Sequence, residues 1–80
     1  MKAKIYIKYK EGILDPQGKT VHSALKSMDI NNIACVTIGK YIEMEFKNLS
    51  KDDAKSVTEE SCKKLLANPN TESYTFEIVD

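Results

Sequence analysis

The stretch KAKIYIKYK at residues 2–10 decides the fold, because its residue types alternate strictly along the chain. One side of the alternation is apolar or aromatic and the other is dominated by lysine: Ala3, Ile5, Ile7 and Tyr9 against Lys2, Lys4, Tyr6, Lys8 and Lys10. A period of two predicts a β-strand with one buried face. Such a strand needs neighbouring strands and a layer of helices to cover its apolar side.

A helix is predicted directly after this strand. Asp15 provides an N-cap oxygen and Pro16 suits the first helical position, so the helix begins there. Its apolar residues recur at spacings of three and four, and residues 29–32 end it. The β-branched residues of Ile33–Ile38 predict a second strand, and Gly39-Lys40 predicts a two-residue hairpin turn into a third.

The second half of the chain repeats this order. The third strand alternates over residues 41–47, and Ser50 with Asp53 forms a capping-box-like helix start. Asn68-Pro69 ends that helix. Its inner face is predicted from the spacing of six residues, Ala54, Val57, Ser61, Cys62, Leu65 and Leu66, and a last strand alternates over residues 73–79.

The order strand, helix, strand, strand, helix, strand predicts a ferredoxin-like α+β fold. The predicted sheet is antiparallel and four-stranded, with both helices on one face, and residues 1–80 form one domain. The first and third strands are neighbours at the centre, so the outward lysines of the first face Glu43 and Glu45.

The predicted hairpin has a consequence for the uncovered face of the sheet. A tight turn at Gly39-Lys40 pairs Ile38 with Tyr41 and Val36 with Glu43. Ala34, Val36 and Ile38 then lie on the uncovered face, with Tyr6 and Tyr41 nearby. Such an apolar and aromatic patch on a small chain predicts a partner surface. A bulge at Gly39 would reverse the second strand and remove much of the patch.

Composition excludes several classes of function. The chain has 12 lysines, no arginine and 12 acidic residues, so its net charge is zero. A general nucleic-acid binder needs a basic surplus. A chain of 80 residues has a marginal core of its own, which favours self-association. The longest apolar run is residues 33–36, so no membrane segment is predicted, and the chain is expected to be cytoplasmic.

No constellation of catalytic or metal-binding residues emerges from the spacing. Cys35 and Cys62 are too far apart for a paired motif, and His22 is the only histidine, expected to face solvent. Five residues separate Gly12 from Gly18, where a phosphate loop needs four. Neither a catalytic residue, a cofactor site nor a metal site is therefore predicted.

Three segments together resemble one known family. These are Leu14-Asp15-Pro16-Gln17-Gly18, Ile38-Gly39-Lys40, and residues 62–69 followed by Glu72 and Tyr74. They are similar to PurS, the small subunit of the multi-subunit phosphoribosylformylglycinamidine synthase. The resemblance covers essentially the whole chain. Thr37 stands where the family often has arginine, and Asn70 and Thr71 stand where it has apolar residues.

The resemblance implies an accessory subunit in the fourth step of purine biosynthesis. In that family a glutaminase subunit releases ammonia, and a synthetase subunit uses ATP and magnesium to convert formylglycinamide ribonucleotide (FGAR) to the formylglycinamidine (FGAM), which makes the complex an ATP-dependent C–N ligase. A PurS-like chain resembles a clamp that bridges the two as a homodimer or homotetramer. The resemblance implies no cofactor on this chain and no nucleic-acid or membrane partner.

The candidate contact residues fall into three groups. The loop Asp15, Pro16, Gln17 and Gly18 and the loop Gly39 and Lys40 are predicted to meet partners, while Leu66, Asn68 and Pro69 hold the end of the second helix. The sheet face adds Tyr6, Val36, Ile38 and Tyr41. The alternative is a stand-alone ferredoxin-like module that binds a small effector or single-stranded RNA, for which Tyr6 and Tyr41 argue and Glu43 and Glu45 argue against.

Overall fold

A three-stranded sheet, two helices and a π-helical turn make up the computed structural model, which describes all 80 residues. In chain order these are β1 (Lys2–Tyr9), α1 (Pro16–Ser27), β2 (Lys40–Glu45), α2 (Lys51–Ser61), the π-helical turn Cys62–Leu66 and β3 (Glu72–Val79). Both helices begin at the predicted caps. Asp15 Oδ1 accepts from the Gly18 N–H, and Ser50 Oγ accepts from the Asp53 N–H.

β1 is the central strand of the sheet, which is antiparallel throughout in the order β2-β1-β3. Ile5 lies between Ile42 and Phe76 on the apolar face, as the alternation predicts. On the other face Lys4 lies between Glu43 and Glu77. The predicted pairing of β1 lysines with glutamates of the neighbouring strand is therefore confirmed.

α2 covers the apolar face of this sheet. The core consists of Ala3, Ile5, Ile7, Cys62 and Ala67, all nearly or fully buried. Thr58 is also fully buried, because its hydroxyl donates to the Ala54 carbonyl one turn earlier. The buried row of the helix is therefore Ala54, Thr58 and Cys62. The prediction that Val57 and Leu65 face inward was wrong, since Leu65 is 83% exposed.

The predicted fourth strand is absent, so the prediction of a four-stranded sheet was wrong. Residues 33–38 pair with no strand of their own chain. They lie instead along α1, where Asp15 Oδ2 accepts from the Ile38 N–H at 2.8 Å and a ring nitrogen of His22 lies 2.9 Å from the Ile33 carbonyl oxygen. These contacts hold the segment away from β2 and prevent the hairpin at Gly39-Lys40.

Residues 13–38 thus form an arm that departs from the sheet and α2. α1 contributes no residue to the core, so the prediction of two helices on one sheet face was also wrong. The chain measures 51 × 26 × 14 Å. Its radius of gyration is 16.1 Å, whereas a compact chain of this length has about 12 Å. The arm makes the protomer markedly elongated.

Candidate interaction surfaces

Asp15 organises the base of the arm. Its two carboxylate oxygens accept from two backbone N–H groups, those of Gly18 at 2.9 Å and Ile38 at 2.8 Å. These hydrogen bonds, the one from Gly18 first, lower the pKa of Asp15 below its usual value. The structure therefore joins the predicted loop Asp15–Gly18 to Ile38, which the sequence had placed on a separate strand.

Gly18 is the point where α1 and the 33–38 segment come closest. It is the one buried residue of α1. A Cβ atom at this position would overlap the Val36 carbonyl oxygen and lie 2.7 Å from Asp15 Oδ2. Only glycine therefore allows the helix and the segment to pack at this distance.

His22 also fastens the arm, which the sequence did not reveal. The prediction of a solvent-facing histidine was wrong, because the side chain is half-buried and hydrogen-bonded to Ile33. Its partner lies eleven residues away in a segment predicted to be a strand, so no local signal pointed to this contact.

The arm exposes several large apolar side chains. Five exposed side chains contribute to it, and Leu14 and Met28 are the most exposed: Ile13, Leu14, Val21, Met28 and Ile30. Pro16 and Gln17 lie beside them and are exposed as well. Several exposed apolar side chains on one part of a small chain are typical of an interface with another protein.

Protonation of Asp15 should loosen the arm. Because its pKa is lowered in the folded chain, the stabilisation from this carboxylate is present above the unfolded-state value of about 3.9 and is lost as pH falls through the folded-state value. We expect the amide proton resonances of Gly18 and Ile38 to shift together in an NMR titration as the pH is lowered below about 3.9. Asp15→Asn should abolish this titration, and an unchanged titration in that variant would contradict the assignment.

The second predicted loop and the end of the α2 helix meet at one end of the sheet. Gly39 passes so close to β1 that a Cβ atom would lie 2.5 Å from the Ile7 carbonyl oxygen. The Lys40 ammonium donates to the Leu66 carbonyl at 3.4 Å and pairs with Glu72 at 3.6 Å. Lys40 therefore links the start of β2 to the end of the π-helical turn.

Asn68 and Pro69 form the adjoining turn into β3. The Asn68 N–H donates to the Glu72 carboxylate at 2.7 Å, and Asn68 Oδ1 accepts from the Asn70 N–H. The Pro69 carbonyl accepts from Lys10 at 2.6 Å. This turn places Leu66, Asn68 and Pro69 at the end of the helix, where the sequence had positioned them.

The open face of the sheet, opposite α2, carries a paired set of aromatic and charged side chains. The rings of Tyr6 and Tyr41 are 5.3 Å apart. Their hydroxyls donate to Glu77 and Glu43, and the hydrogen bond to Glu43 raises the pKa of Tyr41 to about 12. Carboxylates on both sides of the tyrosines oppose phosphate binding here.

Val36 and Ile38 do not join Tyr6 and Tyr41 on the open face. They lie in the arm, half-buried, because the hairpin that would bring them there is not formed. The prediction of an apolar patch on this face was therefore wrong. Half of the large exposed hydrophobic side chains lie on the arm instead.

The arrangement contains no group of three His, Cys, Asp or Glu side chains that converges to hold a metal ion. Cys35 is exposed and Cys62 is buried, and they are not bonded to each other. None of the helices has the length and apolar character required to span a bilayer.

Comparison with known proteins decides the family. The family model for PurS, described as phosphoribosylformylglycinamidine (FGAM) synthase, matches residues 2–80. The chain belongs to the PurS family. PurS is a subunit of FGAM synthase in purine biosynthesis, and that is the function of this chain.

Individual PurS proteins agree with the family assignment. The chain is 44% identical over 77 residues to the PurS subunit of Bacillus subtilis, a match that covers 96% of this chain and 90% of the relative. A solved B. subtilis PurS structure superposes with a TM-score of 0.88 at 43% identity, covering 99% of this chain and 98% of the other. A chain in the PurLQS structure of Thermotoga maritima superposes with a TM-score of 0.86 at 27% identity, covering 98% and 95%.

Proposed function

We propose that this PurS chain is a non-catalytic subunit that bridges the glutaminase and synthetase subunits of FGAM synthase. In this role it supports the transfer of glutamine-derived ammonia to the ATP-dependent conversion of FGAR to FGAM. The similarity to a chain of the PurLQS structure is the single observation that carries the proposal. We further propose that the complex works in the cytoplasm, and that this chain binds neither ATP nor magnesium.

The surfaces of the chain suit a bridging role. One end of the molecule is the apolar arm, and the other is the sheet with α2. A protomer 51 Å long offers well-separated contact surfaces, and five of its ten large exposed hydrophobic side chains lie on the arm. Such an arrangement fits a protein that holds other chains in place rather than one that encloses a substrate.

We also propose that the chain self-associates. Its accessible surface is 6026 Å², whereas a compact monomer of this mass exposes about 4,900 Å². The surplus is about 1,100 Å², somewhat more than the roughly 800 Å² that each partner buries in an interface of standard size. A homodimer is the smallest assembly that would remove this surplus, and a homotetramer would be a pair of such dimers.

Reconstitution tests the bridging role. We expect glutamine-dependent FGAM synthesis by the purified glutaminase and synthetase to fall on the order of tenfold when this chain is omitted, because ammonia then escapes instead of passing between tethered sites. With ammonium chloride as the nitrogen donor, the synthetase should need the chain far less. Equal glutamine-dependent rates with and without the chain would contradict the proposal.

A further inference from the structure

A cavity of about 350 Å³ opens on the uncovered face of the sheet, at the end where β2 begins. It is lined by Tyr6 and Lys8 of β1 and by Thr75 and Ser73, their partners on β3, while Gly39 borders it just before β2. These four side chains share one face because they alternate along their strands with residues that face α2. The volume of the cavity falls within the range of small-molecule sites.

The Lys8 ammonium brings a positive charge to this cavity that no carboxylate of the chain neutralises. The Lys8 side chain is exposed. The lysines whose ammonium groups form ion pairs or hydrogen bonds are Lys2, Lys10, Lys40, Lys63 and Lys64. Lys8 is not among them, so its charge is available to an anion in the cavity.

The hydroxyls of Ser73 and Thr75 are also without a partner in the chain. Other serine and threonine hydroxyls donate to a backbone carbonyl in the preceding helical turn, namely those of Thr20, Ser27, Thr58 and Ser61. Ser73 and Thr75 lie on a strand, where no carbonyl of the preceding residues is within reach of the hydroxyl. Two hydroxyl donors therefore stand beside the Lys8 ammonium.

The nearest carboxylates are engaged elsewhere. Glu77 lies two residues beyond Thr75, about 7 Å further along β3, and accepts from the Tyr6 hydroxyl. Glu72 pairs with Lys40. Neither glutamate lines the cavity. The carboxylates that oppose phosphate binding beside the two tyrosines thus lie outside it.

These donors suit a phosphate group better than a carboxylate. Carboxylates are best held by the planar fork of arginine, which this chain lacks entirely. A lysine ammonium acts as a point charge and is a common partner of phosphate. A phosphate monoester presents three terminal oxygens, which can accept from one ammonium and two hydroxyls at once. The ring of Tyr6 adds an apolar wall for the rest of such a ligand.

We propose that this cavity binds a small phosphate monoester. The Lys8 ammonium and the hydroxyls of Ser73 and Thr75 hold its phosphate, and the Tyr6 ring contacts the remainder of the ligand. A single positive charge suits a monophosphate rather than a triphosphate. The phosphoribosyl group in the name of the product of FGAM synthase is a phosphate monoester of this class, so ribose 5-phosphate is the probe of choice.

An NMR titration of the full chain with ribose 5-phosphate tests the site. We expect the amide resonances of Lys8, Gly39, Ser73 and Thr75 to shift together and to saturate in the millimolar range, which is the affinity that a ligand of this size reaches at ordinary efficiency. Lys8→Ala should weaken binding at least about tenfold, because a hydrogen bond to a charged group is lost. Ser73→Ala combined with Thr75→Val should weaken it by about tenfold.

Lys4→Ala is the matched control. Lys4 lies on the same strand and the same face as Lys8, between Glu43 and Glu77, and its loss changes the net charge of the chain equally. It is four residues from Lys8, about 13 Å along β1, which exceeds the screening length of about 8 Å at physiological salt. The Lys4→Ala variant should therefore bind ribose 5-phosphate within about twofold of wild type.

The outcomes separate the alternatives. Saturating shifts around the cavity that weaken with Lys8→Ala and persist with Lys4→Ala support the proposal. Equal affinities of the Lys8 and Lys4 variants, or shifts centred on the arm, overturn it. Equal binding of ribose or of sodium acetate overturns the assignment to phosphate. If Lys8→Ala fails to fold, Lys8→Met removes the charge while keeping the stem, with the same expected loss. Neither catalytic subunit is present, so the result is independent of the bridging role.

Discussion

Gly18→Ala is expected to destabilise the protein, although alanine is the better helix former. The substitution gains about 1 kcal/mol of helix propensity. It also places a methyl group against the Val36 carbonyl oxygen and 2.7 Å from Asp15 Oδ2. Overpacking costs about 1–3 kcal/mol, and a backbone carbonyl cannot move aside as a flexible side chain can. The clash should therefore outweigh the gain and separate α1 from residues 33–38.

Hydrogen exchange at the Ile38 amide measures this effect. Each 1.4 kcal/mol lost from the contact should raise the exchange rate about tenfold. Gly12→Asn is the matched control, because Gly12 has φ +82° with open space around it and asparagine tolerates this conformation. A Gly18→Ala chain more stable than wild type would show that helix propensity dominates and that the predicted clash is relieved at little cost.

Ile5→Ala should have the largest effect on global stability. Ile5 is fully buried at the centre of the sheet, between Ile42 and Phe76. Removing such a side chain costs about 2–5 kcal/mol, and a chain of this length has a total of about 4–12 kcal/mol. We expect the urea midpoint to fall by a large fraction, or the fold to be lost.

Lys8→Ala provides the comparison for Ile5→Ala. Lys8 lies on the same strand, is exposed and pairs only with the backbone of Ser73 in the sheet. Its removal should change stability by less than about 0.5 kcal/mol. Both variants must be unfolded at one protein concentration, because an associating chain has a concentration-dependent stability. Similar midpoints for the two variants would contradict the assigned core.

The sequence predicted those parts of the fold that depend on local chemistry. The alternation around Ile5 indicated the central strand, and the oxygen-bearing side chains of Asp15 and Ser50 indicated both helix starts. Family membership followed from motifs spread along the chain. Each of these patterns is contained within a few neighbouring residues. The structure that it predicts therefore does not depend on contacts with distant parts of the chain.

The wrong predictions share a physical cause: a local residue pattern does not determine which distant residues it will contact. Residues 33–38 have the composition of a strand, but nothing in them says whether the neighbouring strand belongs to the same chain. The predicted inner face of α2 omitted Thr58, whose hydroxyl is satisfied by the Ala54 carbonyl, so that this polar side chain can be buried. His22 was misjudged because its partner is remote.

The π-helical turn at Cys62–Leu66 is a place where the chain accommodates one additional residue. The Ala67 N–H donates to the Cys62 carbonyl five residues earlier, so the turn holds one residue more than an α-helix would. Deleting a single residue between 62 and 66 would restore α-helical winding, and Ala67 would still meet the Cys62 carbonyl, because four residues of α-helix turn the chain through nearly the same angle as five residues of π-helix. Ala67 would therefore stay in the core. Natural variation in the length of this part of the chain should be tolerated at this turn more readily than within α2.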